Sequence, residues 1–329
     1  MRTKLITATF AGSLVLALGA CGSSDSSGAD GLTPVDIGLA VEKDGANMAL
    51  VIADEQGIYE KCGLDATITF FQGGGALMPA LAAGEVGYGW VATTAVVSAV
   101  EEGADISTIA EVNRTAAGWG LVVAEDSPIQ TLDDLQSGAT ISFTSEGALS
   151  QWFALWSMQQ AGLSADDMTG VPLGGSVPAI GSALDKGDID AAVVLLPWGH
   201  MLEDDGKRWV SRYDEELPDF SFTGIHAGAD ALEDEATAAK VVGAYVEAVA
   251  WLEENPGEAK EFISRFYDLD AEKAQVVYDL VVPDYNPTGQ LDPQRLQSML
   301  DTVGEIPGFV EGTLAADQIL HQVEPATCS

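Results

Sequence analysis

Gly74-Gly75-Ala76-Leu77-Met78-Pro79-Ala80-Leu81 leads through Gly84-Glu85-Val86 into an apolar strand, and Gly174-Gly175-Ser176-Val177-Pro178-Ala179-Ile180 leads through Gly187-Asp188-Ile189 into another. Each stretch reads as a glycine turn, a helix, a Gly-acid-aliphatic turn and a strand. One such unit is an ordinary piece of an α/β fold. Two of them, far apart in one chain, predict two structurally similar lobes and not a short-period solenoid.

Around the first unit, residues 35–39 read as a short buried strand and 46–53 as a helix closed by Gly57. Ala66, Ile68 and Phe70 alternate with Thr67 and Thr69, the period of a strand. Residues 86–91 and 106–112 are strand-like, with a helix over 95–102 between them. This β-α alternation predicts a largely parallel sheet with helices on its faces. Around the second unit, 121–124, 140–143 and 171–173 are strand-like, and 179–186 is helical. Residues 149–161 read as a helix whose apolar face includes Trp152, Leu155, Trp156 and Met158, more consistent with core than with a ligand wall. Residues 191–196 are wholly apolar, as a strand deep in a parallel sheet is. From Ala236 the chain is mainly helical. Val241, Val242, Tyr245, Val249 and Leu252 mark one amphipathic face, and 259–266, 271–280 and 293–303 suggest further helices. These are expected to pack on the first lobe after a return crossing near 211–225. The expected organisation is a signal segment over 1–20, a tether over 21–32, the first lobe over 33–115, the second over 116–215, and 216–329 completing the first.

The N-terminus reads as a processing signal and is excluded from fold reasoning. Arg2 and Lys4 precede an apolar run that is too short to span a bilayer comfortably, and it ends at Leu18-Gly19-Ala20-Cys21. Small residues before a Cys resemble a bacterial lipobox. The resemblance implies cleavage before Cys21, a diacylglyceryl group on its sulfur and anchoring to the membrane through buried acyl chains. Residues 22–31 are rich in Gly, Ser and Asp, as a flexible tether is. No other stretch of the sequence reads as a membrane span.

The formal charge of −37 argues against nucleic acid as a partner, since no basic patch is present to neutralise phosphates. Acids such as Glu101, Glu102, Asp204, Asp205, Glu215 and Glu216 fall where helix ends and exposed faces are expected, which points to a solvated surface. If Cys21 carries lipid, Cys62 and Cys328 remain as an even pair in an oxidising compartment. They can form a disulfide tying the C-terminal tail to the first lobe, or stay as two free thiols. No His lies near Cys62 in sequence to activate it as a nucleophile.

Enzyme signatures are missing from the sequence. Gly87-x-Gly89-x-x-Ala92 mimics a dinucleotide fingerprint, but it precedes or lies in a strand and does not join a strand to a helix. There is no G-x-S-x-G elbow, no H-E-x-x-H and no phosphate-binding loop. His200, His226 and His321 are isolated, so no metal site is expected.

An ordered set of short pieces carries a family resemblance. They are Ile52-Ala53-Asp54-Glu55-Gln56-Gly57-Ile58-Tyr59-Glu60-Lys61 with Gly63-Leu64-Asp65; Ala80-Leu81-Ala82-Ala83-Gly84-Glu85-Val86; Asn113-Arg114 through Trp119-Gly120-Leu121-Val122-Val123; and Leu132-Asp133-Asp134-Leu135. In this order they resemble the nitrate/sulfonate/taurine and thiamine-precursor group of ABC-importer substrate-binding proteins. The resemblance spans nearly the whole chain after the signal. It implies a type II periplasmic-binding-protein fold: two α/β lobes with mainly parallel sheets, two crossovers, a central cleft and hinge closure on a ligand. It further implies an extracytoplasmic monomer that hands a small molecule to a permease and ATPase complex, with no cofactor. The eukaryotic pyrimidine synthases of the same fold carry a Cys-rich motif that is absent here. A sensor or adhesion domain that binds a partner protein would be compatible with the same tether and fold.

In open α/β sheets ligands bind beyond the carboxyl ends of the strands. That rule selects Lys43, Asp44 and Asn47 after the first strand, Gln72, Gly73 and Gly74 at a helix start, Trp90 and Thr93 after the next strand, and Asn113 and Arg114 near the first crossover. In the second lobe it selects Ser145, Glu146, Pro197 and Trp198. The glycine run offers N–H groups to an anion or serves only as a tight turn. Trp90 and Trp198 stack on a ligand or belong to the core. Lys43 and Arg114 meet an anionic head or form surface ion pairs. Phe70 and Phe71 are adjacent on one strand, so at most one should face the cleft. Glu42, Asp44 or Glu146 could meet the amine of a taurine-like zwitterion, and the same acids and indoles would suit a protonated aminopyrimidine.

Overall fold

The computed structural model describes residues 31–218, 220–306 and 314–328. The expected signal and the lipidation residue Cys21 lie outside the described residues. Among the described residues there are ten strands: β1 Thr33–Leu39, β2 Leu64–Phe70, β3 Tyr88–Ala92, β4 Ile106–Asn113, β5 Gly120–Val123, β6 Ala139–Phe143, β7 Met168–Pro172, β8 Ala191–Val194, β9 Arg208–Arg212 and β10 Thr223–Gly228. They form two five-stranded sheets, in the orders β2-β1-β3-β10-β4 and β7-β6-β8-β5-β9.

The two orders are the same pattern written twice. In the first sheet the helix Gly74–Ala82 leads into β3, and in the second the helix Val177–Lys186 leads into β8 at the equivalent position. The glycines that begin and end these units have left-handed φ values: Gly73 and Gly174 before the helices, Gly84 and Gly187 after them. The sequence echo is therefore a structural equivalence between lobes.

Both sheets are mainly parallel, as expected, but each is mixed through one reversed strand, β10 in the first and β5 in the second. β1 is parallel to β2 and β3, but β10 is antiparallel to β3 and β4. β6 is parallel to β7 and β8, whereas β5 is antiparallel to β8 and β9. The reason is where the chain crosses. It leaves β4 at Asn113 and enters the second sheet at Gly120; it leaves β9 at Arg212 and returns at Thr223. Each crossing starts from the carboxyl edge of parallel strands, so the strand that receives it must run away from that edge. The crossings therefore place β5 and β10 antiparallel and put both crossovers at the facing edges of the sheets.

Aromatic side chains fix the crossovers. Phe153 of the helix Leu149–Gln160 stacks on Tyr213, with centroids 4.1 Å apart and planes 2° from parallel. Trp119 of the first crossing meets Phe222 of the second edge-on at 5.3 Å, and Trp152 meets Phe220 at 5.2 Å. Trp152 and Trp156 are buried in this cluster. Such pairs add about 0.5–1.5 kcal/mol each beyond the burial of their area. Hydrogen bonds tie the same region in the first sheet. The buried His226 of β10 has Nε2 at 3.2 Å from the Val91 carbonyl and Nδ1 at 3.0 Å from Thr108 Oγ1. A carbonyl only accepts, so Nε2 carries the proton and Nδ1 accepts from the hydroxyl. Burial lowers the His226 pKa to about 4, keeping the ring neutral.

The C-terminal helices were expected to pack on the first lobe alone, and one of them does more. Helix Glu235–Glu254 lies on the first lobe, where the single Tyr245 hydroxyl proton is shared between the Val112 and Asn286 carbonyls, at 3.0 and 2.9 Å. Helix Pro293–Gly304 reaches the second lobe: Trp152 Nε1 donates to the Val303 carbonyl at 3.4 Å, and Gln159 Nε2 to Glu305 O at 3.3 Å. The terminal segment returns to the first sheet. His321 N donates to Thr108 O at 2.9 Å and Ala326 N to Ala239 O at 2.8 Å, and the Sγ atoms of Cys62 and Cys328 are bonded. No helix among the described residues is long and apolar enough to cross a membrane.

Candidate functional site

The carboxyl ends of β1 and β3 in the first lobe face those of β6 and β8 in the second. Two loop pairs touch across this gap. A Cβ on Gly73 would lie 3.6 Å from Ser145 Oγ, and one on Gly45 would lie 3.7 Å from Leu196 Cβ. Lys273 Nζ of the helix Ala271–Val281 also reaches Asp204 Oδ2 of the helix Trp198–Asp204 at 2.8 Å, a bridge from one lobe to the other. The lobes are drawn together in this conformation.

The deepest part of the site is the loop after β1. Asp44 is only 4% exposed. Its Oδ1 accepts from Ala46 N at 3.0 Å, capping the turn Gly45–Asn47 that opens the helix Met48–Glu55. Burial raises its pKa to about 7, against the opposing pull of the Ala46 N–H. Two tyrosines enclose the loop. The Tyr267 hydroxyl donates to Asp44 O and the Tyr285 hydroxyl to Gly45 O, each at 2.9 Å. Asn47 is fully buried and its Nδ2 donates to Val41 O, which leaves Oδ1 without a partner. Lys43 is exposed on the rim.

β3 ends beside this loop, since Ala40 N donates to Trp90 O at 3.1 Å. Trp90, Thr93 and Thr94 are each 2% exposed or less, and Trp90 Nε1 and both threonine hydroxyls have no partner among the described residues. Buried polar groups are nearly always hydrogen-bonded, so a set of such atoms on adjoining strand ends is unusual. Thr94 follows Thr93 at the start of the helix Thr93–Glu101.

The glycine run has a mixed role. Gly73 N donates to Ala40 O at 2.7 Å, so that N–H is not free for an anion. Gly74 packs closely, since a Cβ there would meet Val91 Cγ2 at 3.0 Å and Ala95 Cβ at 3.1 Å. Gly74 and Gly75 line a depression of about 630 Å³ with Met78, Ser98, Glu146 and Gln151. It brings the first-lobe helix start and the second-lobe loop of Glu146 together. Glu146 and Gln72 are exposed, so both belong to the rim. Phe70 is exposed and Phe71 is half-buried, against Gly38.

In the second lobe Pro197 is buried after a cis peptide bond from Leu196. Trp198 is half-buried, and its indole covers Gly175 so closely that any Cβ there would overlap the ring. The crossover residue Gly118, at φ +74°, presses on Leu196 in the same way.

Asn113 and Arg114 serve the crossovers. Asn113 Oδ1 accepts from Thr223 Oγ1 at 2.6 Å, joining the end of β4 to the start of β10. Arg114 donates through NH2 to the Tyr285 carbonyl at 2.9 Å and accepts at its own carbonyl from Arg295 at 3.1 Å. It lines a separate depression with Glu111, Asn286 and Arg295, away from the loops of Gly74 and Glu146. Next to it, burial raises the Asp284 pKa to about 6, opposed by hydrogen bonds that include one from the Thr115 hydroxyl. The structure thus brings Asp44, Asn47, Trp90, Thr93 and Thr94 together and does not bring Arg114 to the start of the helix Gly74–Ala82. Among the described residues, no group of His, Cys, Asp and Glu is placed to hold a metal ion.

The family model described as NMT1/THI5 like matches residues 46–259, well over half of the chain, and the chain belongs to that family. No curated protein sequence matches it. Among solved structures, the alkanesulfonate-binding protein SsuA from Xanthomonas axonopodis pv. citri, bound to MOPS, has a TM-score of 0.74 at 19% identity, covering 88% of this chain and 98% of that one. The periplasmic aliphatic sulphonate binding protein SsuA from Escherichia coli has a TM-score of 0.74 at 20% identity, with coverage of 89% and 93%. The periplasmic nitrate-binding protein NrtA from Synechocystis PCC 6803 has a TM-score of 0.59 at 15% identity, with coverage of 74% and 69%. At such identities the shared property is the fold, and it is the periplasmic-binding-protein fold that the sequence resemblance implied.

Proposed function

We propose that the protein is the extracytoplasmic solute-binding component of an ABC importer, tethered through lipid on Cys21, and that it encloses a small organic anion or zwitterion between its lobes. The observation that carries this reading is the group of buried, unpartnered polar atoms on Asn47, Trp90, Thr93 and Thr94, at the strand ends that face the second lobe. A bound solute would supply the missing partners, and the half-buried Trp198 opposite offers an aromatic wall. The sulfonate- and nitrate-binding proteins that share the fold support a small solute over a macromolecular partner. Binding without chemical conversion is the reading adopted. The protein would then deliver the solute to a permease and ATPase.

Thermal unfolding of solute-stripped protein against taurine, alkanesulfonates, nitrate, aromatic carboxylates and aminopyrimidines tests the reading. A ligand at about 100 times its Kd should stabilise the fold by about 2.7 kcal/mol. Flat transitions across the panel, from demonstrably folded protein, would count against solute binding and for a partner-binding role. Replacing the anchor by Cys21→Ser should move the protein from the membrane fraction of the producing cells to the released fraction. Unchanged membrane retention would sink the lipid anchor.

A further inference from the structure

The loops after β1 and β3 divide by hydrogen-bonding character. After β1 the unpartnered groups accept. Asn47 Oδ1 is free because the amide nitrogen is committed to Val41 O. Among the described residues the Asp44 side chain has one hydrogen bond, from Ala46 N, and no salt-bridge partner. The two hydroxyls around it, of Tyr267 and Tyr285, donate to main-chain carbonyls. Its neighbour Lys43 is exposed. After β3 every unpartnered group is able to donate: the Trp90 indole N–H, which can only donate, and the hydroxyls of Thr93 and Thr94, which donate or accept.

We infer that Asp44 and Asn47 form the receptor for a protonated amine, and that the ligand is a small zwitterion whose ammonium meets this pair while its acidic group faces Trp90, Thr93 and Thr94. The inference rests on the solute-binding reading above and narrows it. Three N–H donors of a primary ammonium match a carboxylate and an amide oxygen, both buried and spaced three residues apart at one turn. A buried carboxyl without a cation is costly, and a bound ammonium provides the charge that the protein withholds. The acidic end is met by neutral donors, since the Arg114 guanidinium is tied to Tyr285 O. A simple anion such as nitrate or an alkanesulfonate leaves Asp44 and Asn47 unserved and brings a negative charge close to a carboxyl.

The test uses matched probes: taurine against 1-propanesulfonate, and β-alanine against butyrate, where a methyl replaces the ammonium. Affinities are measured by calorimetry on the wild type, Asp44→Asn and Asn47→Ala. The amine-bearing member of a pair should bind at least tenfold more tightly than its partner, in line with the strength of a charge-assisted hydrogen bond. Asp44→Asn should erase most of that preference, and Asn47→Ala should reduce it. Asn at 44 keeps an acceptor for Ala46 N, and each variant is checked by its own thermal transition. An amine-free member that binds equally well, or a preference that survives Asp44→Asn, overturns the inference and leaves solute binding intact. Tight binding of an amine-bearing aminopyrimidine alone, with loss in Asp44→Asn, keeps the amine receptor and overturns the acidic end. Binding of no probe by folded protein removes both readings.

Discussion

Breaking the link between Cys62 and Cys328 should destabilise the fold by about 2–5 kcal/mol, the usual cost of losing a native disulfide. The two residues are separated by 266 positions, so the bond closes almost the whole described chain into one loop. In the chain-entropy account the constraint acts on the unfolded ensemble and grows slowly with loop length. The native tail is held by other contacts as well. Ile319 is fully buried, Thr108 N donates to Ile319 O at 2.7 Å, and Gly243 lies against the Ala326 backbone with no room for a side chain. The tail should therefore stay docked after reduction, and the loss should show as an earlier global transition. Thermal or denaturant unfolding with and without a reductant measures it, with Cys62→Ser/Cys328→Ser as the control that a reductant no longer affects. An unchanged midpoint, with both thiols reactive in the untreated protein, would remove the cross-link from the stability of the fold.

The cysteine pair shows what kind of feature sequence reveals. Parity left two residues once Cys21 was set aside, but only tertiary structure brings positions 62 and 328 together. The strands were legible because alternation at Ala66, Ile68 and Phe70 and the apolar run at 191–196 are local signals. The echo between the two units was legible because positive φ at Gly73, Gly84, Gly174 and Gly187 calls for glycine there, whatever surrounds it. Strand direction in β5 and β10 was not. It depends on which edge of a sheet the chain enters, and residue type does not record that. The same holds for charge. Arg114 reads as a cation near the cleft, but its partner is the carbonyl of Tyr285, 171 residues away. Asp44 sits in Glu42-Lys43-Asp44-Gly45, chosen as a ligand loop by its place after the first strand, but nothing in the local pattern marks the carboxyl as buried. Its burial comes from Tyr267 and Tyr285, on segments that no local pattern connects to β1.

Asp44→Asn should stabilise the solute-free protein at neutral and alkaline pH, and the gain should vanish in acid. The carboxyl titrates at 3.8 when unfolded and at about 7 in the fold, because burial penalises its charged form. Between those values the native state holds a proton that the unfolded chain has released, so wild-type stability from this group falls as pH rises and levels off above about 7. The neutral amide of Asn escapes that penalty. The difference between variant and wild type should be near zero at pH 4 and should rise to a plateau above pH 7. Its upper limit is roughly 4 kcal/mol, from about 1.4 kcal/mol per pKa unit. The groups around Asp44 are the phenols of Tyr267 and Tyr285, both pushed far above neutrality by burial, and Lys43 on the rim. Neither phenol changes charge between pH 4 and 8. Guanidinium unfolding of both proteins at several pH values measures the difference. If Asp44 served only as a cap, Asn would keep the acceptor for Ala46 N, and the difference between variant and wild type would not change with pH. A carboxyl that weakens the empty fold and is needed to hold a ligand amine instead shows the exchange of stability for function expected of a binding residue.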